Sequence, residues 1–227
     1  MKKRYFIVFL MLLTFGVSCT MHDYVDLGLP SGTLWATSNI GACSSTDIGD
    51  YYAWGEVNKK SKYIWQTYKH LNANAEDAIP EFLYFHLTKY CTEYYHGDNH
   101  VFDSKTQLEL PDDVAYIRWG RDWRIPTKAQ WEELFSHCDW NAVNMKGVNG
   151  YQVVGPSNKS IFLPATGFID TLVHYKDEYG MYWSSSVEYE TNRSYYAWAL
   201  ECCAVEHRMV YGYRCSGYAV RPVKAKK

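Results

Sequence analysis

The sequence lacks the marks of several large classes of protein. Beyond its first 18 residues it has no second apolar run of the roughly 20 residues that a membrane-spanning helix needs. It also has no low-complexity tract and no long-period repeat. Positive charge is not in excess: the formal net charge is −2, and removing residues 1–18, which carry three basic residues and no acidic one, takes it to −5. This balance argues against nucleic acid and anionic membrane surfaces as partners.

The usual signatures of catalytic and metal sites are missing too. No Cys-x-x-Cys spacing occurs, and His96 and His100 enclose Gly-Asp-Asn, which favours a loop over a helix face. No Gly-x-Ser-x-Gly surrounds Ser184, so its serine run is interpreted as satisfying backbone groups at a turn. Asp112 and Asp113 are interpreted as a helix start rather than a ligand pair. We therefore predict neither a cofactor nor a metal site, although scattered oxygen ligands for a metal would leave no motif.

What the chain does have is aromatic residues. Hydrophobic residues make up 47% of the 227 and charged residues 21%, which suits a globular domain with its own core. The 21 Tyr and 9 Trp combine a large apolar face with a polar tip, so they serve both strands and binding surfaces. Composition alone leaves those two uses open.

The N-terminus is typical of an exported protein. Lys2-Lys3-Arg4 precedes an apolar run over residues 5–17, which predicts a signal peptide of residues 1–18. The run ends in Gly16-Val17-Ser18-Cys19, which resembles a bacterial lipobox and predicts lipidation of Cys19, with residues 19–23 as a linker. Gly16 stands where Leu is usual, so ordinary signal cleavage remains an alternative. Two or more acyl chains would give a stable anchor.

Six further cysteines follow Cys19. An even number in an exported chain permits disulfides, but six allow 15 pairings and the sequence does not choose among them. These residues are Cys43, Cys91, Cys138, Cys202, Cys203 and Cys215.

Local patterns predict three helices. Thr127 with Gln130 forms a capping-box pattern. The apolar face that follows predicts a helix packed on a sheet; its members are Trp131, Leu134, Phe135 and Cys138. A short helix is predicted over 112–119, capped by Asp112 and ended by Gly120. A third is predicted over 80–90, where Leu83, Leu87 and Tyr90 share a face.

Short strands make up the rest of the pattern. Residues 150–154 and 160–163 flank Gly-Pro-Ser-Asn and predict a β-hairpin. Further strands are predicted at Tyr182, Tyr195, Glu206 and Tyr218. A few helices with many short strands predict an α+β domain.

Six motifs in order along the chain carry a family resemblance. They are Val-Asp-Leu-Gly-Leu-Pro-Ser-Gly-Thr-Leu-Trp-Ala-Thr (25–37), Gly-Asp-Tyr-Tyr-Ala-Trp-Gly-Glu (49–56), Trp-Arg-Ile-Pro-Thr (123–127), Ile-Phe-Leu-Pro-Ala (161–165), Tyr-Trp-Ser-Ser-Ser (182–186) and Val-Arg-Pro-Val (220–223). Together they resemble the Fibrobacter succinogenes major paralogous domain family, which is common in lipoproteins of Bacteroides-type bacteria. The resemblance covers residues 24–223, with residues 56–112 the least family-like part.

The resemblance implies a fold and an architecture. It implies a C-type-lectin-like fold of the formylglycine-generating-enzyme branch, with short twisted antiparallel sheets, one or two packed helices, much loop and paired termini. Residues 24–223 would form one domain, residues 56–112 an insertion or long loop excursion, and residues 224–227 a basic tail. Residues 24–37 are expected to pair with residues 218–223. The implied location is the outer membrane, lipid-anchored, with the surface favoured over the periplasmic side.

The implied function is binding rather than catalysis. The same fold branch supplies the variable ligand-binding proteins of diversity-generating retroelements, whose variable surface lies just before the final strand. This predicts a non-catalytic module that recognises an extracellular protein or glycan through residues 188–215. Trp198 and Leu200 would point inward, with Ala199 outward. The predicted ligand-binding residues are Glu201, Cys203, His207, Arg208, Tyr211, Tyr213 and Arg214. If that surface fails, residues 56–112 are the next choice.

Two other functions remain as alternatives. One is a structural or adhesin subunit of a surface fibre. The other is a cysteine oxidase of the formylglycine-generating type, which the sequence disfavours. Cys202 and Cys203 are adjacent and would point to opposite strand faces, and the Arg-Gly-Gly-Ser-Trp motif is absent. The Glu-Pro-Asn, Gln-Pro-Asp and Trp-Asn-Asp motifs of calcium-dependent lectins are absent as well.

Overall fold

The computed structural model describes residues 22–225. The predicted signal peptide and the predicted lipidation at Cys19 lie outside the described residues. No helix among residues 22–225 has the length and apolar character needed to cross a bilayer.

Two α-helices and eleven strands form the regular structure of this region. The helices are α1 (Val114–Trp119) and α2 (Lys128–His137). The strands are β1 (Tyr24–Asp26), β2 (Thr33–Ala36), β3 (Asp139–Met145), β4 (Val148–Val154), β5 (Ser160–Pro164), β6 (Phe168–Ile169), β7 (Val173–His174), β8 (Gly180–Val187), β9 (Tyr196–Cys203), β10 (Glu206–Tyr213) and β11 (Val223–Ala225). Short 3-10 helices lie at Trp65–Thr67, Pro80–Phe85, Tyr94–His96, Asp98–His100 and Leu110–Asp112.

The strands form small antiparallel sheets, so the predicted α+β class is confirmed. Three sheets have three strands, in the orders β1-β2-β11, β3-β4-β5 and β10-β9-β8, and β6 pairs with β7. The ends of the domain meet as predicted, because Val223 lies opposite Trp35 in the β2–β11 pair. The predicted strand at Tyr218 is wrong: Tyr218 and Ala219 make only isolated bridges, to Tyr52 and Tyr182.

Helix α2 forms where its capping pattern predicts. The Gln130 amide N–H donates to Thr127 Oγ1 at 3.2 Å, and the Thr127 N–H donates to Gln130 Oε1 at 2.9 Å. Trp131 and Leu134 are fully buried, and Phe135 is half-buried on the same face. The helix packs this face on the β8–β9–β10 sheet.

The N-cap of helix α1 lies one residue later than predicted. The cap is Asp113, whose Oδ1 accepts from the N–H groups of Ala115 (2.8 Å) and Tyr116 (3.1 Å). Asp112 belongs to the preceding 3-10 turn and is buried instead. Gly120 ends the helix as predicted, with a positive φ of 101° that favours glycine.

The predicted helix over 80–90 is wrong. Only the 3-10 turn Pro80–Phe85 forms there. Leu87 instead makes isolated bridges to Leu71 and Gly97, and Tyr90 has a positive φ of 58°. The three residues behind the prediction, Leu83, Leu87 and Tyr90, are all buried. Their helix-like spacing therefore comes from burial in a segment that is not helical.

The β4–β5 hairpin is confirmed, and a strand before it was missed. β3 pairs with β4 through a turn at Lys146 and Gly147, both with positive φ. β3 was missed because its residues are mostly exposed and show no clear alternation of apolar and polar side chains.

β9 is buried on both of its faces. Ala197 and Ala199 pack in one apolar cluster with Trp54 and Trp183, and Leu200 and Cys202 pack in a second with Trp131. The predicted outward direction of Ala199 is therefore wrong, because core lies on both sides of this central strand.

Candidate binding surface

The β9–β10 hairpin carries most of the predicted ligand-binding residues. In its register Tyr213 lies opposite Tyr196, Tyr211 opposite Trp198, and Arg208 opposite Glu201. Residues directly opposite one another share a sheet face. The register therefore divides the prediction between two opposite faces. We call Tyr196, Trp198, Tyr211 and Tyr213 the aromatic face, and Glu201, Cys203 and Arg208 the charged face.

Helix α2 leaves the aromatic face partly open. Its side chains cover Leu200 and Cys202 on this side of the sheet. At its first residue, the Lys128 ammonium lies 3.8 Å from the centroid of the Trp198 ring and 2.9 Å from Glu190 Oε1. Beyond that point the rings reach solvent, with Tyr211 42% and Tyr213 44% exposed.

The rings of the aromatic face support one another. The Tyr196 centroid lies 5.0 Å from that of Tyr211 and 4.8 Å from that of Tyr213, and Trp198 lies 5.8 Å from Tyr211. Burial, followed by a hydrogen bond with Tyr213, raises the pKa of Tyr196. The Trp198 indole N–H is buried and has no hydrogen-bond partner among the described residues. The face therefore offers flat apolar area together with hydroxyl donors.

Residues from the 56–112 excursion extend this surface. Trp65 lies 5.9 Å from Tyr213, and Tyr84 lies 4.5 Å from Tyr195 and 6.3 Å from Trp65, all between ring centroids. We call the combined set the aromatic surface; it comprises the aromatic face with Trp65, Tyr84 and Tyr195.

The sequence prediction missed much of this surface. The spacing of two between Tyr196 and Trp198, matching that between Tyr211 and Tyr213, is a signal that could have placed all four on one face. For Trp65 and Tyr84 no local signal exists, because a fold-dependent contact brings them to the hairpin.

On the charged face, the charged side chains pair with one another. Arg208 Nε and Nη2 donate to Glu201 Oε1 at 3.0 and 2.8 Å. Arg208 Nη1 also lies 3.3 Å from Glu206 Oε2. This exposed cross-strand pair supports the hairpin without a ligand.

Cys203 and His207 lie apart from the tyrosines. Cys203 lines a separate cleft of about 600 Å³ together with Tyr151 and Glu178. His207 shares the side of the aromatic face but stacks on Trp140, with centroids 4.5 Å apart and planes 12° from parallel. Burial lowers the pKa of His207. Neither side chain joins the aromatic surface.

Arg214 is a correction to the predicted site. It is fully buried. Its Nε donates to the Tyr68 hydroxyl at 3.0 Å, and its other nitrogens donate to the carbonyls of Lys89, Tyr90 and Ser194 at 2.9–3.1 Å. A guanidinium so occupied is a structural anchor, because no surface ligand can reach it. The sequence does not reveal that Arg214 is buried, because the groups that surround its guanidinium, such as Tyr68 and Tyr90, are distant in the chain.

Two findings bear on cofactors and relatives. Among residues 22–225, no group of three or more His, Cys, Asp or Glu side chains could hold a metal ion. No family model, curated protein or solved structure gives a significant match to this chain.

Proposed function

We propose that this protein is a non-catalytic binding module that recognises an extracellular protein or glycan through its aromatic surface. The observation that carries the proposal is the open end of the β9–β10 hairpin, where Tyr211 and Tyr213 are more than two-fifths exposed beside Trp65. Tyrosine and tryptophan are enriched at binding hot spots because they bury much apolar area while losing little side-chain entropy.

The rigidity of the hairpin favours such a role. β9 is the central strand of its sheet, fixed by β8 on one side and β10 on the other. Rings held by a scaffold of this kind are already ordered before a ligand arrives, so binding costs less conformational entropy.

The cysteines support the non-catalytic part of the proposal. Burial raises the pKa of Cys202 well above its ordinary value, which disfavours the reactive thiolate. Cys203 lies on the other face of the strand. The two thiols therefore do not converge on one substrate atom.

The proposal includes a family and a location. The six ordered motifs support membership of the Fibrobacter succinogenes major paralogous domain family, and the lipobox-like sequence supports a lipid anchor at Cys19 in the outer membrane. Replacing Cys19 by Ala and partitioning cells in detergent tests the anchor. We expect the C19A protein to leave the membrane fraction; retention there would contradict lipidation.

A combined glycan and protein array tests the binding function. The protein is compared with the double variant Tyr211→Ala/Tyr213→Ala and with the matched control Glu201→Gln/Arg208→Gln, which alters only the charged face. We expect specific array signals that the tyrosine variant loses and the control keeps. Signals that survive in the tyrosine variant would place the site elsewhere.

A further inference from the structure

A second cavity lies within the 56–112 excursion, and no residue of the β9–β10 hairpin lines it. It is a cleft of about 1040 Å³. Its lining combines a polar floor with an aromatic rim; the residues that matter are Asn72, Asp77, Phe82, Phe85, His86 and Asp98. None of them belongs to the aromatic surface.

The floor is a buried histidine between two carboxylates. His86 Nδ1 lies 3.5 Å from Asp98 Oδ1 and 3.8 Å from Asp77 Oδ1. Asn72 Nδ2 donates to Asp98 Oδ2 at 3.1 Å, which fixes that carboxylate. Only 14% of the Asp98 side chain is exposed, whereas that of Asp77 is 88% exposed. One carboxylate is therefore held in place and the other is free to meet a ligand.

The rim is made of exposed rings. Phe82, Phe85 and Tyr95 are 48%, 37% and 81% exposed. The rings of Phe82 and Phe85 stack with centroids 6.0 Å apart and planes 22° from parallel. Such faces attract cations through the ring quadrupole, and more strongly where water is partly excluded.

The charge of this segment has one sign. Residues 72–103 contain six acidic residues and a single basic one besides histidine, Lys89. Lys89 is already used, since its Nζ lies 2.6 Å from both Asp112 Oδ2 and Glu109 Oε2. No Lys or Arg lines the cleft. Its carboxylates therefore have no Lys or Arg side chain in the cleft to neutralise them.

We propose that this cleft binds an organic cation, a guanidinium or ammonium group on an alkyl stem. The head group pairs with Asp77 and with its neighbour Glu76, an exposed residue that also lines the cleft, and the stem lies on the rings of Phe82 and Phe85. Charge pairing next to exposed aromatic faces suits such a ligand better than a neutral or anionic one. An arginine or lysine side chain of a protein partner and a free polyamine both supply this chemistry. The cleft adjoins the aromatic surface, since the Phe85 ring lies 4.6 Å from that of Tyr84 between centroids, but the two share no residue and are tested separately.

Titration by NMR with a matched pair of small probes tests the proposal. Nα-acetyl-arginine amide carries the cation, and the citrulline analogue has nearly the same shape without the charge. We expect a Kd of about 1 mM or tighter for the arginine probe, and at least about fivefold weaker binding of the citrulline probe. Spermidine binding more tightly than arginine amide would support the site and identify a free polyamine as the source.

Variants at exposed positions keep the test separate from folding. Glu76→Gln/Asp77→Asn removes two charges at the cleft, where both residues are exposed. Asp139→Asn/Glu206→Gln removes two charges from exposed strand positions that do not line it. We expect the cleft variant to lose at least about fivefold in affinity and the control to lose none. Equal binding of the citrulline probe, unchanged affinity in the cleft variant, or no arginine binding at about 10 mM would each overturn the proposal.

Discussion

The framework and the excursion of this domain are held together by different means. The framework (residues 22–55 and 113–225) joins its strands by backbone pairing and packs them in two apolar clusters. The described excursion (residues 56–112) contains only 3-10 turns and isolated bridges. A segment without ladders must satisfy its backbone and fix its position by other contacts. Here an apolar cluster that includes Tyr68, Leu83 and Leu87 shares that role with buried charged side chains, which the framework needs less.

Asp112 is the first of these anchors. It accepts hydrogen bonds from Lys69 Nζ (2.6 Å), Lys89 Nζ (2.6 Å) and the Tyr90 hydroxyl (2.7 Å). Burial alone would raise the pKa of Asp112, but these donors outweigh it and hold the pKa far below its usual value. The carboxylate stays charged at neutral pH and ties three parts of the chain together.

Two buried arginines show the same chemistry in the two regions. Arg221 donates to Asn39 Oδ1 (2.8 Å) and to the carbonyls of Ala36 (3.0 Å) and Phe162 (2.8 Å), all in the framework. Arg214 joins the end of β10 to the excursion carbonyls of Lys89 and Tyr90. The first fixes strands to strands, and the second fixes the irregular segment to the sheet. Replacing Arg221 should therefore destabilise the whole framework, whereas replacing Arg214 should loosen mainly the excursion.

The largest effect is expected from Arg221→Met. This change leaves buried carbonyl and amide acceptors unpaired, and we expect it to lower the free energy of unfolding by about 3–5 kcal/mol. Chemical denaturation measures the loss. Hydrogen exchange should then accelerate throughout the framework.

Arg214→Met is the matched change on the other side of the comparison. We expect amides of residues 56–112 to exchange faster while those of β4 and β5 stay protected, because local opening requires less free energy than global unfolding. Equal acceleration in both regions would show that framework and excursion unfold as one unit.

Asp112→Asn should have the next largest effect. An amide keeps the shape but gives weaker hydrogen bonds to the two lysines, so we expect a loss of about 2–3 kcal/mol. Hydrogen exchange should localise the loss to the excursion. Glu109→Gln is a suitable control, because Glu109 is exposed and also meets Lys89. A comparable loss in that control would argue against burial as the cause.

We expect His70 to make the excursion sensitive to acid. It is buried, its Nε2 lies 3.0 Å from the Gly55 carbonyl oxygen, and burial followed by the charge of Arg214 lowers its pKa to about 4. The unfolded pKa is near 6.5, so the full contribution is present above pH 6.5 and is lost as pH falls toward 4. At pH 5 the loss is about 2 kcal/mol.

His70→Gln separates this effect from other titrations. The amide can still donate to the Gly55 carbonyl but does not titrate. We expect stability to fall less between pH 7 and pH 5 in this variant, measured by denaturation at each pH. Parallel pH profiles for the variant and the parent would contradict the account.

The smallest loss of stability is expected from removing the N-terminal cap of helix α2 in the framework. Thr127→Ala removes the side-chain half of the capping box of α2, and we expect a loss of about 1 kcal/mol. Thermal unfolding measures it, with Thr127→Ser as the conservative control. A loss as large as that of Arg221→Met would mean that local capping, not tertiary anchoring, dominates the framework.

The same difference between regions explains what the sequence could predict. In the framework, a local pattern of Thr127, Gln130 and Trp131 predicted helix α2 correctly. The helix forms there because its apolar face packs against the core. Leu83, Leu87 and Tyr90 form a similar pattern in the excursion, but there the backbone pairs with Leu71 and Gly97 instead. Spacing records burial, and burial alone does not specify a helix.

The predicted ligand-binding residues and the aromatic surface overlap only in part, for a related reason. Tyr211 and Tyr213 belong both to the sequence prediction, which took them from the region that the family resemblance implies is variable, and to the aromatic surface proposed here. Arg214 follows directly in sequence and has the opposite environment, because long-range carbonyls of the excursion surround its guanidinium. Trp65 reaches the hairpin only through the folded excursion. Such long-range partners are invisible in a single sequence.

The most direct test of the central claim is the affinity of an array-identified ligand for three single variants. Trp65→Ala removes a ring contributed by the excursion, Tyr211→Ala removes one contributed by the framework, and Arg208→Gln alters only the charged face. If the two regions together form one binding surface, both aromatic variants should lose about 1–4 kcal/mol of binding free energy, and Arg208→Gln should lose almost none. A loss confined to Arg208→Gln, with both aromatic variants unchanged, would contradict the account.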